Sequence, residues 1–350
     1  MNVLLTCAGR RNYLVDYFKQ AVGGRGRVLA ADQSASAPAL QAADEAYVVP
    51  AVFDPDYIER LLSICKSRRV GLVIPLNDLE LPVLAENKAR FQSEGIIVVV
   101  SDASVVHICF DKYQTLEFAK KHGIALPPTF FSPVETRQAL DAGELTFPLI
   151  IKPRWGSASF GVEVCYDEDE LKYIFELAKK RLVRSFVAKI SADMEPCLLI
   201  QAKIGGQEYG LDIVNDLSRR HVCTFVKRKL AMRSGETDKA VSVDHQELSD
   251  IGTNIGRCLG HVGNLDLDIC GDDDGFFLID MNPRFGGGYP FSQLAGANVP
   301  AALLAWAEGR QPDPSWLKIS PGITASKYSQ LIILKTETDE INPYDQTKDY

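Results

Sequence analysis

The first hundred residues alternate short apolar runs with amphipathic stretches, and few architectures accept that pattern. The runs Asn2–Thr6, Val28–Ala31, Tyr47–Val49, Leu72–Pro75 and Ile96–Val100 have the length and residue types of strands. Helical patterns at Arg11–Val22, Pro55–Ser67 and Leu79–Gln92 separate them. Strands alternating with helices predict βαβ units and a parallel sheet. The first strand runs into Cys7-Ala8-Gly9-Arg10, a tight strand-to-helix turn. The second is followed by Asp32, where a dinucleotide fold carries its ribose-binding acid. The Gly-x-Gly-x-x-Gly fingerprint is absent, however, so Asp32 reads as the cap of a turn rather than as a nicotinamide ligand.

A chain of 350 residues has room for two or three packed units. Its 46% hydrophobic and 24% charged content is that of a folded globular protein. The net charge is −8 and no extended Lys/Arg run exists, which argues against a nucleic-acid or anionic-membrane partner. The longest apolar runs are strand-sized, far short of a membrane span. Arg10-Arg11 follows the first apolar stretch, the reverse of the order in a signal peptide. The 8 cysteines are scattered without a Cys-x-x-Cys pair and read as reduced thiols, so a cytoplasmic enzyme is expected.

From Ser101 the texture changes. A helix is predicted at Tyr113–Lys121, ended by Gly123, and a short one at Val134–Leu140. A strand at Phe147–Lys152 is closed by Pro153. It leads through the small residues of Gly156-Ser157-Ala158-Ser159-Phe160-Gly161 into a strand at Val162–Tyr166, a hairpin able to fold over a ligand. A helix at Asp169–Arg184 and strands at Leu198–Ala202, Tyr209–Val214, His221–Lys227 and Lys239–Val243 precede a helix at Gln246–Leu259. The charged stretch from Lys227-Arg228-Lys229 to Lys239 has neither helical nor strand period and reads as a solvated face. Glu337–Tyr350 reads as a loose tail.

The most informative stretch is Asn264-Leu265-Asp266-Leu267-Asp268-Ile269-Cys270, a Gly/Asp turn, then Phe276-Phe277-Leu278-Ile279-Asp280-Met281-Asn282-Pro283-Arg284. Side chains alternate faces along a strand. Leu265, Leu267, Ile269, Phe277, Ile279 and Met281 then form a core face, while Asp266, Asp268, Asp280 and Asn282 share the other. A turn centred near Asp273 sets Asp266 opposite Asp280, with Asp268 diagonal. Like charges facing across a ladder are unfavourable unless a cation lies between them. Carboxylate and amide oxygens suit Mg²⁺ completed by substrate phosphates. The alternative is an ordinary wet sheet face, and Asp272, Asp273 and Asp274 read as a solvated turn.

With these stretches in order, the chain resembles the ATP-grasp superfamily, nearest its carbamoyl-phosphate-synthase-like carboxylate–amine ligases. Asp111-Lys112 resembles the start of the first grasp helix. Ile151-Lys152-Pro153 with the following loop resembles the second nucleotide lysine and the glycine-rich lid. Gln201 to Asp212 resembles the adenine hinge and its ribose acid, and the hairpin ending Asn282-Pro283-Arg284 resembles the metal strand. The resemblance implies an α/β chain: a Rossmann-like domain at 1–108, then an ATP-grasp fold of two α+β subdomains sandwiching the nucleotide. The subdomains are placed at 109–196, with the lid, and 197–320, with the metal site; 321–350 holds a last strand and the tail.

The resemblance also implies roles. ATP is held by Lys112, Lys152, Gly156, Ser157, Ser159, Gly161, Gln201, Lys203, Ile204 and Glu208. Mg²⁺, or Mn²⁺ in its place, is held by Asp268, Asp280 and Asn282, with Asp266 the second choice for the first ligand. Arg284 and Arg233 act on the transferred phosphate and the substrate. Two departures stand out: Asp280 occupies a position usually Glu, and Gln201 occupies that of the hinge acid. The implied reaction activates a carboxylate as an acylphosphate and joins it to an amine, releasing ADP and phosphate. The implied partners are the small-molecule carboxylate and amine, in a chain compatible with a homodimer. A bicarbonate-activating enzyme, a non-catalytic nucleotide sensor and a dehydrogenase are the alternatives. The 5 dispersed histidines show no zinc spacing, and no nucleophile–base pattern implies covalent catalysis.

Overall fold

The computed structural model describes residues 1–156, 160–185, 195–272 and 275–334. Its first sheet contains β1 (Asn2–Thr6), β2 (Val28–Asp32), β3 (Glu45–Val48), β4 (Val70–Pro75) and β5 (Ile97–Val98), in the order β3-β2-β1-β4-β5 and parallel throughout. Alternation along β1 sends Val3 and Leu5 toward Leu14, Val15 and Phe18 of helix Asn12–Val22. Leu4 goes to the opposite face, with Leu61 and Ile64 of helix Tyr57–Ser67 and Leu84 and Phe91 of helix Glu80–Ser93. The expected strand Ile96–Val100 contracts to two residues. Val99 still donates to the Val73 carbonyl, but the Val100 N–H turns back on the Val98 carbonyl at 2.9 Å and the chain leaves the ladder. Asp32 caps a turn, accepting from Gly9 N–H at 2.8 Å and Ser34 N–H at 2.9 Å. The chain runs outward from β1 in one direction and resumes at β4 in the other, so a crevice opens at the carboxyl ends of these two strands.

The second sheet contains β6 (Thr129–Phe130), β7 (Leu149–Pro153), β8 (Glu163–Cys165) and β9 (Leu198–Ala202), antiparallel in the order β6-β9-β7-β8. Leu149, Ile151, Leu198 and Ile200 pack under helices Pro133–Asp141 and Glu168–Val183. Period-two alternation leaves Ile150, Lys152, Leu199 and Gln201 on the other face.

The third sheet contains β10 (Gln207–Asn215), β11 (His221–Arg233), β12 (Glu236–Ser242), β13 (Gly263–Asp272), β14 (Gly275–Asn282) and β15 (Thr324–Ser326), in the order β14-β13-β10-β11-β12-β15. Helix Gln246–Leu259 covers its apolar face, where Leu211, Ile213, Val226, Leu265, Leu267 and Ile269 are buried. Two expectations are corrected here. The charged stretch from Lys227 to Lys239 is regular strand, β11 continuing through it to Arg233 and returning as β12, and while Arg228, Arg233, Glu236 and Lys239 are exposed as expected, two of its lysines are not. Lys227 and Lys229 are only 2% and 7% exposed, because they lie across the polar face of the sheet toward acids on β10 and β13.

The β13–β14 register also differs. The hairpin closes with Asp272 opposite Gly275, so Asp268 lies opposite Asp280 and Asp266 opposite Asn282. A bulge beside Ile269 leaves Ile279 as the extra residue of β14 and reverses the parity of that strand. Phe276 and Leu278 therefore enter the core, not Phe277 and Ile279, while Met281 beyond the bulge is buried as expected. The expected tail Glu337–Tyr350 lies outside the described residues.

Asp212 on β10 is fully buried against the Lys227 ammonium at 2.6 Å, the Ser292 hydroxyl at 2.5 Å and the Asn264 amide at 3.0 Å. This cluster ties helix Tyr289–Leu294 to the sheet. Asp212→Ala leaves an uncompensated buried ammonium and is expected to cost about 3–5 kcal/mol in denaturant unfolding. A loss below about 1 kcal/mol, the scale of an exposed pair, contradicts this account.

Candidate active site

The polar faces of the second and third sheets meet. On β7 the Lys152 ammonium, 7% exposed, reaches across to the Ile279 carbonyl of β14 at 3.4 Å. Lys112 arrives from the first residue of helix Lys112–Lys121. Asp111 caps that helix through the Tyr113 N–H and is gripped at both oxygens by the Arg154 guanidinium, each at 2.7 Å. So anchored, the Lys112 ammonium lies 2.8 Å from the Gly156 carbonyl and 3.4 Å from Asp280. Burial pushes the Lys152 ammonium down to about 8; the nearby Lys112 charge adds to this and Asp280 opposes it.

On the third sheet, Asp268 and Asp280 face each other in register, and Asn282 lies 3.4 Å from the Asp280 carboxylate. Lys229 pairs with Asp268 at 2.6 Å and approaches Glu208 at 3.9 Å. Gly210 is opposite both Lys227 and Asp268, and a Cβ there would come within 3.2 Å of the Lys227 stem and 3.5 Å of the Lys229 stem. Its bare backbone lets the two lysines extend over the sheet. Burial would lower the Lys229 pKa, but Asp268, by charge and hydrogen bond, with Asp266 and Glu208, raises it instead. Asp266 is pushed up to about 7, first by burial and then by the Asp268 charge, against the pull of Arg284.

Arg284 follows β14 and is 9% exposed. Its guanidinium donates to Asp78 at 2.7 Å, to Asp266 at 3.5 Å and to the Phe285 carbonyl at 3.1 Å. Asp78 and Asp266 outweigh the burial that would lower its pKa and raise it. The backbone then passes over Asp266: a Cβ on Gly286 would lie 1.9 Å from the Asp266 carboxyl carbon, so no larger residue fits.

The structure thus brings Lys112, Lys152, Gly156, Asp268, Asp280, Asn282 and Arg284 together. Gln201 is on the Lys152 face of its sheet and donates its amide to Thr129 at 2.8 Å, leaving the amide carbonyl as an acceptor. Lys203 and Ile204 lie in the connection from β9 to β10, where the Lys203 N–H is bonded to the Pro148 carbonyl at 3.3 Å. Glu208 is exposed near Lys229, and Gly161 follows the lid with φ +65°. Ser157 and Ser159 lie outside the described residues. Arg233 is exposed at the end of the β11–β12 hairpin, opposite Glu236. Sequence reasoning missed Lys229 and Asp78. No local sequence signal marked the first, since the alternation of buried Lys227 and Lys229 with exposed Arg228 and Leu230 appears only in the fold; a usable signal existed for the second alone. For Asp78 it was the polar pair Asn77-Asp78 just past an apolar strand.

No ligand set made of three or more His, Cys, Asp or Glu side chains occurs among the described residues. Two facing carboxylates and an amide still fit Mg²⁺, which takes few protein oxygens and completes its shell with phosphate and water. No described helix is long and apolar enough to cross a membrane.

Residues 3–99 match the PylC-like N-terminal domain, 109–223 the RimK-like ATP-grasp domain, and 194–330 the ATP-grasp described from a biosynthetic pathway with the Ter operon. This chain carries ATP-grasp domains. It is homologous to the carbamoyl phosphate synthase large chain of Campylobacter jejuni, 23% identical over 72% of this chain and 23% of that one. The vancomycin B-type resistance protein VanB of Enterococcus faecalis is 27% identical over 74% of this chain and 80% of its own length. Pyruvate carboxylase of Bacillus subtilis is 22% identical over 76% of this chain, which spans only 24% of that protein. Among solved structures, biotin carboxylase from Campylobacter jejuni superposes with a TM-score of 0.71 at 16% identity, covering 91% of this chain and 73% of that one. An L-amino acid ligase from Bacillus licheniformis does so with a TM-score of 0.64 at 18% identity, covering 91% and 77%. The architecture is therefore a PylC-like N-terminal domain followed by an ATP-grasp fold.

Lys152→Gln is expected to weaken ATP binding by roughly 1.5–3 kcal/mol, the loss of one charged hydrogen-bond partner. In the wild type, ATP affinity falls as pH rises through about 8, where the free protein's Lys152 loses the proton that the phosphates need. The variant lacks this fall. Calorimetry from pH 7 to 9 measures both effects; an equal pH dependence in the variant removes Lys152 from the phosphate site.

Proposed function

We propose that the protein is an ATP-dependent ligase that activates a small-molecule carboxylate as an acylphosphate and joins it to an amine, releasing ADP and phosphate. The observation that carries this reading is the convergence of Lys112 and Lys152 on Asp280, itself opposite Asp268. Two ammonium groups and a hard-cation site are what a transferring phosphoryl group requires, because its catalysis is positioning and charge neutralisation. In this reading Lys112, Lys152 and the backbone of the Gly156–Gly161 loop hold the phosphates. Gln201, Lys203 and Ile204 receive the adenine, and Glu208 the ribose hydroxyls. Asp268, Asp280 and Asn282 hold Mg²⁺, with Mn²⁺ as a substitute. The ion supplies charge neutralisation to the phosphate oxygens when bound. Arg284 steadies the acyl oxygen or the moving phosphate with its planar fork. Arg233 is assigned to the acceptor side of the same site.

The relatives that ligate carboxylates support this reading, and the place we assign to the enzyme is the cytoplasm, as a homodimer. The domain limits that accompany it are 1–108, 109–196, 197–320 and 321–350. The likeness to biotin carboxylase favours one second reading, in which bicarbonate is the activated carboxylate. Hydroxylamine separates the two. With a screen of amino acids and small acids, ATP and Mg²⁺, the ligase forms ADP and a stable hydroxamate of the acid. AMP and pyrophosphate as products would instead mean adenylation and overturn the proposal. ATP cleavage stimulated by bicarbonate alone moves the enzyme to the second class.

Asp280→Asn keeps the shape of the hairpin and removes one of the two facing charges. Turnover is expected to fall by about 10²-fold or more, on the scale of one lost electrostatic contribution to the transition state. Wild-type rates across a magnesium titration would leave the hairpin face without a catalytic ion.

A further inference from the structure

The turn after β1 carries a cation that the phosphoryl chemistry does not use. Arg11 is half-buried between β1 and helix Asn12–Val22. Its Nε is enclosed without a hydrogen-bond partner, and its guanidinium forms no salt bridge with a described residue. Leaving a buried donor unpaired costs about 1–3 kcal/mol, and more for a charged group, so such an arrangement persists where something else supplies the partner.

The turn lies at the crevice where the carboxyl ends of β1 and β4 part. The β4 side of that crevice contributes Asp78, which reaches Arg284 at 2.7 Å, directly beyond the metal strand. Arg11, Glu236, Arg284 and Asp266 all act on the hydroxyl of Tyr13, two residues past Arg11, which burial pushes up to about 12. Glu236 begins β12 and would touch a Cβ on Gly287 at 3.0 Å, so it belongs to the wall formed by the glycine run after Arg284. Burial would raise its pKa; the hydrogen bond from Lys327 at 3.0 Å and the Lys327, Arg11 and Arg284 charges together outweigh this and lower it. The wall therefore offers a guanidinium without an ion-pair partner among the described residues on one side and, on the other, a half-exposed carboxylate that Lys327 holds from one edge.

A ligand with one sign of charge meets repulsion from half of this wall. A phosphate satisfies Arg11 but faces Glu236, whereas a simple amine satisfies Glu236 and leaves Arg11 unpaired. An amino acid satisfies both, because a planar guanidinium fork matches a carboxylate and Glu236 can accept from the amine. We propose that Arg11 is a specificity-determining residue that grips the carboxylate of the amine substrate, so that the acceptor is an amino acid rather than a simple amine. The inference rests on the ligase reading above and narrows its second substrate. In the joining step the acceptor nitrogen attacks the acyl carbon, the C–N bond forms, the C–O bond to phosphate breaks, and the nitrogen releases a proton. Glu236 is in place to hold the acceptor nitrogen until then.

The test measures binding and turnover separately. Calorimetry on the whole protein with Mg²⁺ and a non-hydrolysable ATP analogue compares the twenty amino acids, their decarboxylated amines and their amides. The wild type is expected to bind one or more amino acids and to reject the matching amine and amide. Arg11→Gln is expected to raise KM for that amino acid by roughly 10- to 100-fold, the loss of a charge-assisted pair, with a much smaller change in kcat and none in KM for ATP. Its preference over the amide collapses, and Arg11→Lys restores part of it. The lysine variant also serves where the glutamine variant fails to fold. The inference is overturned by unchanged discrimination in a folded variant, by no amino-acid binding in the wild type, or by equal binding of the simple amine. ADP formation in the wild type is scored independently: its absence alongside Arg11-dependent amino-acid binding sinks the ligase reading and leaves the subsite standing.

Discussion

Two carboxylates facing each other across a β-ladder are unstable alone, and much of the central architecture serves to keep Asp268 and Asp280 apart from that fate. Each has its own lysine: Lys229 at 2.6 Å from the neighbouring part of the same sheet, and Lys112 at 3.4 Å from the opposing lobe. The second of these pairs joins elements far apart in sequence. The same electrostatic requirement that balances the acids thereby draws the two lobes together. In the proposed reading, nucleotide phosphates would compete for Lys112 and Lys152 and a divalent ion for the acids, so that binding both at once would exchange partners without leaving these charges uncompensated.

Arg284 extends this balance to the N-terminal domain. Its salt bridge with Asp78 crosses 206 positions of sequence at 2.7 Å, and both groups are nearly excluded from solvent. At such a site removing one partner costs more than the pair contributes, since the remaining charge stays buried. The parallel sheet is consequently part of the site, not an appended module. Its β4 turn holds Arg284, the arginine that follows β14, through Asp78.

Legibility in the sequence followed how local each determinant is. The parallel sheet was readable because strand–helix alternation is imposed residue by residue, and Asp32 as a turn cap because its partners are nearby in the fold's first βα unit. The apolar positions of β13 were readable by period two. The parity of β14 was not, because one bulged residue at Ile279 inverts every side chain on one side of it, and nothing in the composition of Phe276–Ile279 distinguishes the two settings. The lysines of β11 were misread for a related reason. Burial of Lys227 and Lys229 depends on acids contributed by β10 and β13, and a charge whose partner lies elsewhere in the chain looks solvated when read locally.

The bulge has a functional consequence that ties these points together. Without it, continuing the turn-end register of Ile269 opposite Leu278 would set Asp268 opposite Ile279, and Asp280 would fall opposite Leu267 on the apolar face. One inserted residue instead returns Asp280 and Asn282 to the polar face, in line with Asp268 and Asp266. It also releases the Ile279 carbonyl toward Lys152, which reaches it at 3.4 Å. A strand of perfect alternation could bury Phe276 and Leu278, or present Asp280 to the site with Met281 in the core, but not both. The irregularity reconciles a core built from even positions near the turn with a polar face built from even positions beyond it.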